Sequence, residues 1–126
     1  MKAYTDIEQS KKLAEILPIE SADMHYATWT ILVSPNQGST IKDLQEEYGN
    51  QIIPCWSLAA LLEQIPSDLL GSNTLTIEKD DSEYLKYGLN YHDRWGREDD
   101  IKTKYYDNLV DACVEMIIKL NKKRLL

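Results

Sequence analysis

The residues with the greatest capacity for chemistry lie in one polar segment, residues 92–100, which reads His-Asp-Arg-Trp-Gly-Arg-Glu-Asp-Asp. His92 could act as a general acid or base, because an imidazole changes its protonation state near neutral pH. Arg94 and Arg97 could bind an anion through paired hydrogen bonds, and the aspartates that end the segment could bind a cation. Neighbours in sequence need not converge in space. Three interpretations therefore stay open: a solvated loop, a protein-binding loop, and a catalytic or ligand-binding site.

A second candidate is an aromatic surface beside this segment. The chain has eight Tyr, three Trp and no Phe, and Tyr and Trp are enriched where proteins contact partners. An ordinary sheet face whose hydroxyls reach water would have the same composition. Combined with the polar segment, the aromatic residues give a predicted interaction surface of Tyr84, Tyr87, Tyr91, His92, Arg94, Trp95 and Arg97.

Signatures of known catalytic and cofactor sites are absent from the sequence. There is no Gly-rich phosphate loop, no nucleophile elbow, no zincin helix and no Cys-x-x-Cys pair. Cys55 and Cys113 lie far apart, and neither has a neighbour at the spacing of metal ligands. We therefore predict no catalytic residue, no cofactor and no metal site. The other histidine, His25, falls in a predicted strand, where we expect it to have a structural role.

Composition predicts a single cytoplasmic globular domain over residues 1–126. The hydrophobic share of 43% and the charged share of 28% are those of ordinary folded proteins, and the length suits one domain. The first ten residues lack the basic start and apolar run of a signal peptide. The longest wholly apolar stretch, residues 58–62, is too short to cross a bilayer. We therefore expect no membrane association and two buried free thiols in a reducing compartment.

The net charge of −7 bears on the choice of partner. A strongly acidic chain repels phosphate backbones, so nucleic acid is not an expected partner. Basic residues near the C-terminus do not change this, because the helix dipole favours cations in the last turn of a helix. The expected partner is another protein or a second copy of the chain.

Four segments have the apolar periodicity and the end signals of helices. The first follows a Thr5-x-x-Glu8 capping box and stops at Pro18. The last, residues 109–120, follows Asn108 as its cap and is apolar at nine positions. So wide an apolar surface must be covered by a second helix or another subunit as well as by a sheet. The two helices between them are a short amphipathic one over residues 40–49 and one that starts at Pro54 and covers residues 56–65.

Strands are predicted from β-branched and aromatic runs and from alternating polarity. They cover residues 24–33, 74–79, 84–91 and 101–106. Short connections between the later strands indicate antiparallel pairing. The predicted fold class is therefore α+β, with an antiparallel sheet of about 3–4 strands and helices packed on one face.

Three segments carry a resemblance to a known group of proteins. They are residues 7–18 (IEQSKKLAEILP), 53–62 (IPCWSLAALL) and 106–116 (YDNLVDACVEM). Together they resemble short uncharacterised proteins of Bacteroides-type bacteria, often encoded in mobile or phage-derived regions. The resemblance implies an origin in a mobile genetic element. It implies no mechanism, because that group offers no catalytic residues to transfer.

These observations lead to one principal hypothesis and two alternatives. The principal hypothesis is a non-enzymatic protein-binding or regulatory module of a mobile genetic element. The first alternative is a small enzyme or ligand-binding protein that uses the His92–Asp100 loop. The second is an acidic mimic of nucleic acid, which would need carboxylates spaced along one face of the molecule.

Overall fold

The computed structural model describes residues 2–30, 32–69, 71, 73–82 and 84–126, with the backbone alone at residues 98–100. The fold is α+β, as the sequence predicted. Within the described residues the helices are α1 (Ile7–Ala14), α2 (Ile41–Tyr48), α3 (Leu58–Gln64) and α4 (Leu109–Lys122). The strands are β1 (Met24–Ala27), β2 (Val33–Pro35), β3 (Ile52–Cys55), β4 (Asp68–Leu69), β5 (Asn73–Asp80), β6 (Lys86–His92) and β7 (Glu98–Lys102).

The strands form two antiparallel sheets rather than one. The first has the order β2-β1-β3, and the second has the order β4-β5-β6-β7. The second sheet has the predicted size, and α4 packs against its strands β6 and β7. The sequence did not predict the first sheet, because both of its outer strands were assigned to other elements.

The first sheet corrects two predictions. The single strand predicted over residues 24–33 is wrong: the chain turns at residues 28–30 and returns as β2, while Ile31 lies outside the described residues. The helix start predicted at Pro54 is also wrong, since Pro54 pairs with His25 in β3 and Ser57 caps α3. Proline lacks a backbone N–H, and β3 tolerates it because β3 is an edge strand. His25 also bonds the Asn36 side chain at 3.0 Å, a structural contact.

Helix α1 begins one residue later than predicted. Asp6, not Thr5, caps it, and Gln9 completes the capping box: the Gln9 N–H donates to Asp6 Oδ1 at 2.8 Å. Thr5 is buried, and its hydroxyl bonds Ser10 Oγ at 2.7 Å and accepts the N–H of Trp56 at 3.2 Å. Thr5 therefore joins the N-terminal segment to the residues that precede α3.

Helix α4 forms the centre of the core. It packs against α1 and α3 as well as β6 and β7, so helices of the same chain provide the flanking cover that its apolar surface requires. The polar side chains of α4 also have partners from the N-terminal segment: Asp111 Oδ1 accepts hydrogen bonds from Lys2 Nζ and Gln9 Nε2, both at 2.8 Å. Seven residues of α4 are buried: Val110, Ala112, Cys113, Val114, Met116, Ile117 and Leu120.

Both cysteines are buried and free, as the sequence predicted. Burial raises the pKa of the Cys113 thiol to about 12, and burial also raises the pKa of the Cys55 thiol. Both side chains therefore pack as neutral thiols. Among the described residues, no helix combines the length and the apolar character that a membrane span needs.

Replacement of Asn108 by Ala is expected to lower the free energy of unfolding by about 1–2 kcal/mol. Asn108 Oδ1 accepts the N–H of Asp111 at 2.8 Å, and its amide donates to the Asp111 carboxylate at 2.9 Å. Urea denaturation followed by circular dichroism measures the change. Asn121→Ala, at an exposed position of the same helix, should change it by less than about 0.5 kcal/mol. Equal losses in the two variants would contradict the capping role.

Candidate functional site

Strand β6 divides the predicted interaction surface between two faces of the second sheet. Side chains alternate along a strand, so Leu89 and Tyr91 face the core while Asn90 and His92 face the opposite side, called here the outer face. The prediction that Tyr91 belongs to an exposed surface is wrong. Its ring is fully buried, its hydroxyl donates to the Pro66 carbonyl at 2.6 Å, and burial raises its pKa to about 12.

The other aromatic residues of the predicted surface lie far from one another. Tyr84 precedes β6 and Trp95 follows it, so the length of a seven-residue strand, roughly 20 Å, separates them. Both rings are largely exposed. Tyr87 is half-buried and shares the alternation of Leu89, which places it on the face opposite to His92. The structure therefore does not bring the predicted residues together on one surface.

The polar segment forms a tight turn rather than a long loop. Asp93 Oδ1 accepts the backbone N–H groups of Trp95 and Arg97, each at 2.9 Å, and Gly96 has the positive φ of 77° that favours glycine. The Arg94 guanidinium lies over the Trp95 ring, 4.7 Å from its centroid. The side chains of the aspartates that end the segment lie outside the description. The structure thus presents Arg94 and Trp95 as an exposed stacked pair at the tip of the β6–β7 hairpin.

His92 holds this turn against the neighbouring strand. Its Nε2 lies 3.3 Å from Glu78 Oε1 on β5, and its Nδ1 lies 3.3 Å from the carbonyl oxygen of Gly96. Both partners are hydrogen-bond acceptors, and a neutral imidazole has a single N–H, so His92 donates to one of them at a time. These contacts within the fold give His92 a positioning role in the turn.

Glu78 is the centre of a polar cluster on the outer face. The Tyr105 hydroxyl donates to Glu78 Oε2, and the Asn90 amide and His92 contact the same carboxylate. These hydrogen bonds, that of Tyr105 first, hold the pKa of Glu78 below its ordinary value. Glu78 is therefore a carboxylate at neutral pH. Glu78, Asn90, His92 and Tyr105 are called the outer-face cluster below.

A bulge after β7 places Tyr105 in this cluster. The strand predicted over residues 101–106 is wrong in extent, because β7 ends at Lys102 and regular pairing stops there. Thr103 still pairs with Leu89, and Tyr106 pairs with Tyr87. Between these two pairs, Lys104 and Tyr105 lie opposite the single residue Gly88, which makes the bulge. The extra residue turns the Tyr105 ring over Gly88, where any Cβ would lie 3.2 Å from the ring.

The first sheet carries an exposed apolar surface that the sequence did not predict. Trp29 and Leu32, in the β1–β2 turn, are 53% and 68% exposed, and Tyr48 at the end of α2 is 43% exposed. The Trp29 and Tyr48 rings lie 5.3 Å apart between centroids, tilted by 52°. Glu47 raises the pKa of the Tyr48 hydroxyl through its negative charge, followed by a hydrogen bond. These three exposed side chains are called the aromatic patch.

Sequence reasoning overlooked the aromatic patch for a local reason. The turn Thr28-Trp29-Thr30 contains no Gly, Pro or Asn, the residues that usually mark a hairpin, so Trp29 looked like part of a continuous strand. Tyr48 fitted the apolar face of a predicted amphipathic helix. The available signal was a shift in the alternation of apolar and polar residues, whose apolar positions move from Met24 and Tyr26 to Ala27 and Trp29.

Comparison of the chain with models of known protein families, with curated proteins and with solved structures gives no match. Within the described side chains, no group of three or more His, Cys, Asp or Glu is arranged to hold a metal ion.

Replacement of Tyr105 by Phe tests the hydrogen bond to Glu78 while leaving the ring over Gly88. At pH 7 we expect a loss of about 0.5–1 kcal/mol in the free energy of unfolding. The bond favours the ionised carboxylate and lowers its folded pKa, so its contribution is present above the unfolded value of about 4.3 and is lost as the pH falls through the folded value.

Urea denaturation of both proteins at pH 7 and pH 3 provides the measurement. The difference between Tyr105→Phe and the wild type should shrink toward zero at the lower pH. Other carboxylates titrate equally in the two proteins and cancel. A difference that is the same at both pH values would show that the bond does not depend on the Glu78 charge.

Proposed function

We propose that the protein is a non-enzymatic protein-binding module that contacts its partner through the aromatic patch. The observation that carries the proposal is the contact of two exposed rings, Trp29 in the β1–β2 turn and Tyr48 at the end of α2, with the exposed Leu32 three residues after Trp29. The chain buries comparable rings elsewhere, with Trp56 and Tyr91 fully enclosed. Exposed apolar groups that lie together are typical of protein interaction sites, and Trp and Tyr are the residues that most often dominate their binding energy.

The charge around the patch favours a basic partner. Helix α2 contributes exposed Glu46 and Glu47 next to Tyr48, and the whole chain has a net charge of −7. A second copy would bring the same acidic residues to the contact and be repelled. The partner surface that fits is therefore apolar at its centre and carries Lys or Arg at its rim.

Binding accounts for the geometry better than the alternatives do. For an enzyme, the chain would need an acid or base that faces a substrate, whereas both ring nitrogens of His92 lie 3.3 Å from acceptors of the fold itself. For a nucleic-acid mimic, the carboxylates would need to face solvent in a row. The two carboxylates of α4, on Asp111 and Glu115, instead accept bonds from neighbouring side chains within the fold. A regulatory role in a mobile genetic element is the finer part of the proposal, and the resemblance of the three helical segments supports it.

Replacing both Trp29 and Tyr48 by Ala is expected to weaken partner binding by at least about tenfold. The immobilised protein is incubated with a lysate of the organism that encodes it, and retained proteins are quantified by mass spectrometry. A specific partner should be retained by the wild type and lost by the double variant. Because charge contributes, raising the ionic strength should also release it.

Trp95→Ala serves as the control, because Trp95 is also an exposed tryptophan, 69% against 53% for Trp29, in the β6–β7 turn of the other sheet. It should retain the partner, and both variants should stay folded at the binding temperature, since loss of the Trp29–Tyr48 ring contact costs only about 0.5–1.5 kcal/mol. Retention of the same proteins by wild type and double variant, or of none at physiological salt, would contradict the proposal. Loss with Trp95→Ala alone would move the interface to the β6–β7 turn.

A further inference from the structure

A small pocket of about 120 Å³ opens on the outer face of the second sheet. Glu78, Asn90 and Tyr105 of the outer-face cluster line it, and Gly88 contributes backbone without a side chain. Its volume is below the 300–1,000 Å³ of ordinary small-molecule sites, so it can enclose only one functional group of a ligand.

Asn90 has a polar atom without a partner in this pocket. The residue is 3% exposed, and its Oδ1 is the one buried side-chain nitrogen or oxygen in the described part of the chain that makes no hydrogen bond. The amide nitrogen contacts the Glu78 carboxylate, and the reversed amide would place two oxygens together, so the orientation is determined. A buried acceptor without a donor opposes folding, and such groups are kept at sites with another purpose.

The groups around Asn90 Oδ1 indicate which kind of ligand could donate a hydrogen bond to it. The ligand must bring an N–H or O–H donor. The ionised Glu78 lies on the nitrogen side of the Asn90 amide, and the Tyr105 ring, 43% exposed, forms a wall of the pocket. A flat cation with several N–H groups can bond both acceptors and contact the ring face.

Hydration favours a guanidinium over an ammonium in this pocket. A guanidinium spreads its charge over a plane and is less strongly hydrated than an ammonium, so it loses less on entering a pocket of this size.

We propose that this pocket binds a guanidinium group, carried either by an arginine side chain of a protein or by a small free molecule. The site lies on a different sheet from the aromatic patch and uses none of its residues. The two proposals can therefore fail separately.

Titration of the ¹⁵N-labelled protein with methylguanidinium, methylammonium and acetate at matched ionic strength tests the proposal. Methylguanidinium should cause saturable shifts of the Asn90 side-chain amide and the Tyr105 backbone amide, methylammonium weaker ones, and acetate none. A capped Gly-Arg-Gly peptide distinguishes the two sources. Tighter binding of the peptide indicates arginine in a protein, and equal or weaker binding indicates a free guanidinium compound.

Asn90→Leu should weaken methylguanidinium binding by at least about tenfold, and its thermal midpoint should fall less than that of Asn108→Ala, because removal of the unpartnered acceptor offsets loss of the bond to Glu78. Asn108→Ala is the matched control: that buried asparagine is fully bonded, so its loss should lower the midpoint and leave binding intact. Glu78→Gln, which keeps the shape and removes the charge, should also weaken binding and serves if Asn90→Leu does not fold.

Three results would overturn the proposal. One is a set of shifts that never saturates or is the same for all three salts. Another is wild-type binding by Asn90→Leu and Glu78→Gln. The third is a crystal structure, soaked with methylguanidinium, in which only water bonds Asn90 Oδ1.

Discussion

The apolar surface of α4 must be removed from water on almost every side, and the arrangement of the other elements follows from that requirement. A single sheet face covers only part of a helix, so α3 and α1 complete the enclosure. The few polar side chains of α4 have partners as well: Asp111 accepts hydrogen bonds from Lys2 and Gln9, and Glu115 forms an ion pair with Lys119. Hydrophobic burial thus determines the position of α4, and hydrogen bonds determine its orientation about its own axis.

Because α4 lies on the inner face of the second sheet, polar side chains are left for the outer face. There Glu78 collects donors from a neighbouring strand and from the bulge after β7. The bulge matters because it changes which side chain reaches Gly88: a regular strand would continue past Lys102, whereas the extra residue brings the Tyr105 ring over the glycine. The irregular pairing after Lys102 therefore places Tyr105 on the outer face.

Local signals sufficed where all the evidence for an element lay in one segment. Asn108 caps α4 as predicted, the apolar spacing over residues 40–49 predicted α2, and the alternation before and after residue 81 predicted β5 and β6. They failed where two local options were comparable. Thr5 and Asp6 are both good caps, and the choice depends on the distant Trp56, whose N–H requires the Thr5 hydroxyl. Pro54 fits a helix start as well as an edge strand. The outer-face cluster could not be predicted, since Glu78 and Tyr105 meet only through the register of three strands.

The contacts of Asp111 also bear on the order in which the molecule can fold during synthesis. Lys2 and Gln9 are translated about a hundred residues before the carboxylate that they bind. Leu13, which belongs to the same core as α4, remains without that cover while the second sheet is being made. On the ribosome, α1 can pack against β3 early, but its contacts with α4 must wait until the last helix emerges. Until then the part of the core that α4 covers is open to water, and apolar surface exposed in this way during synthesis favours aggregation.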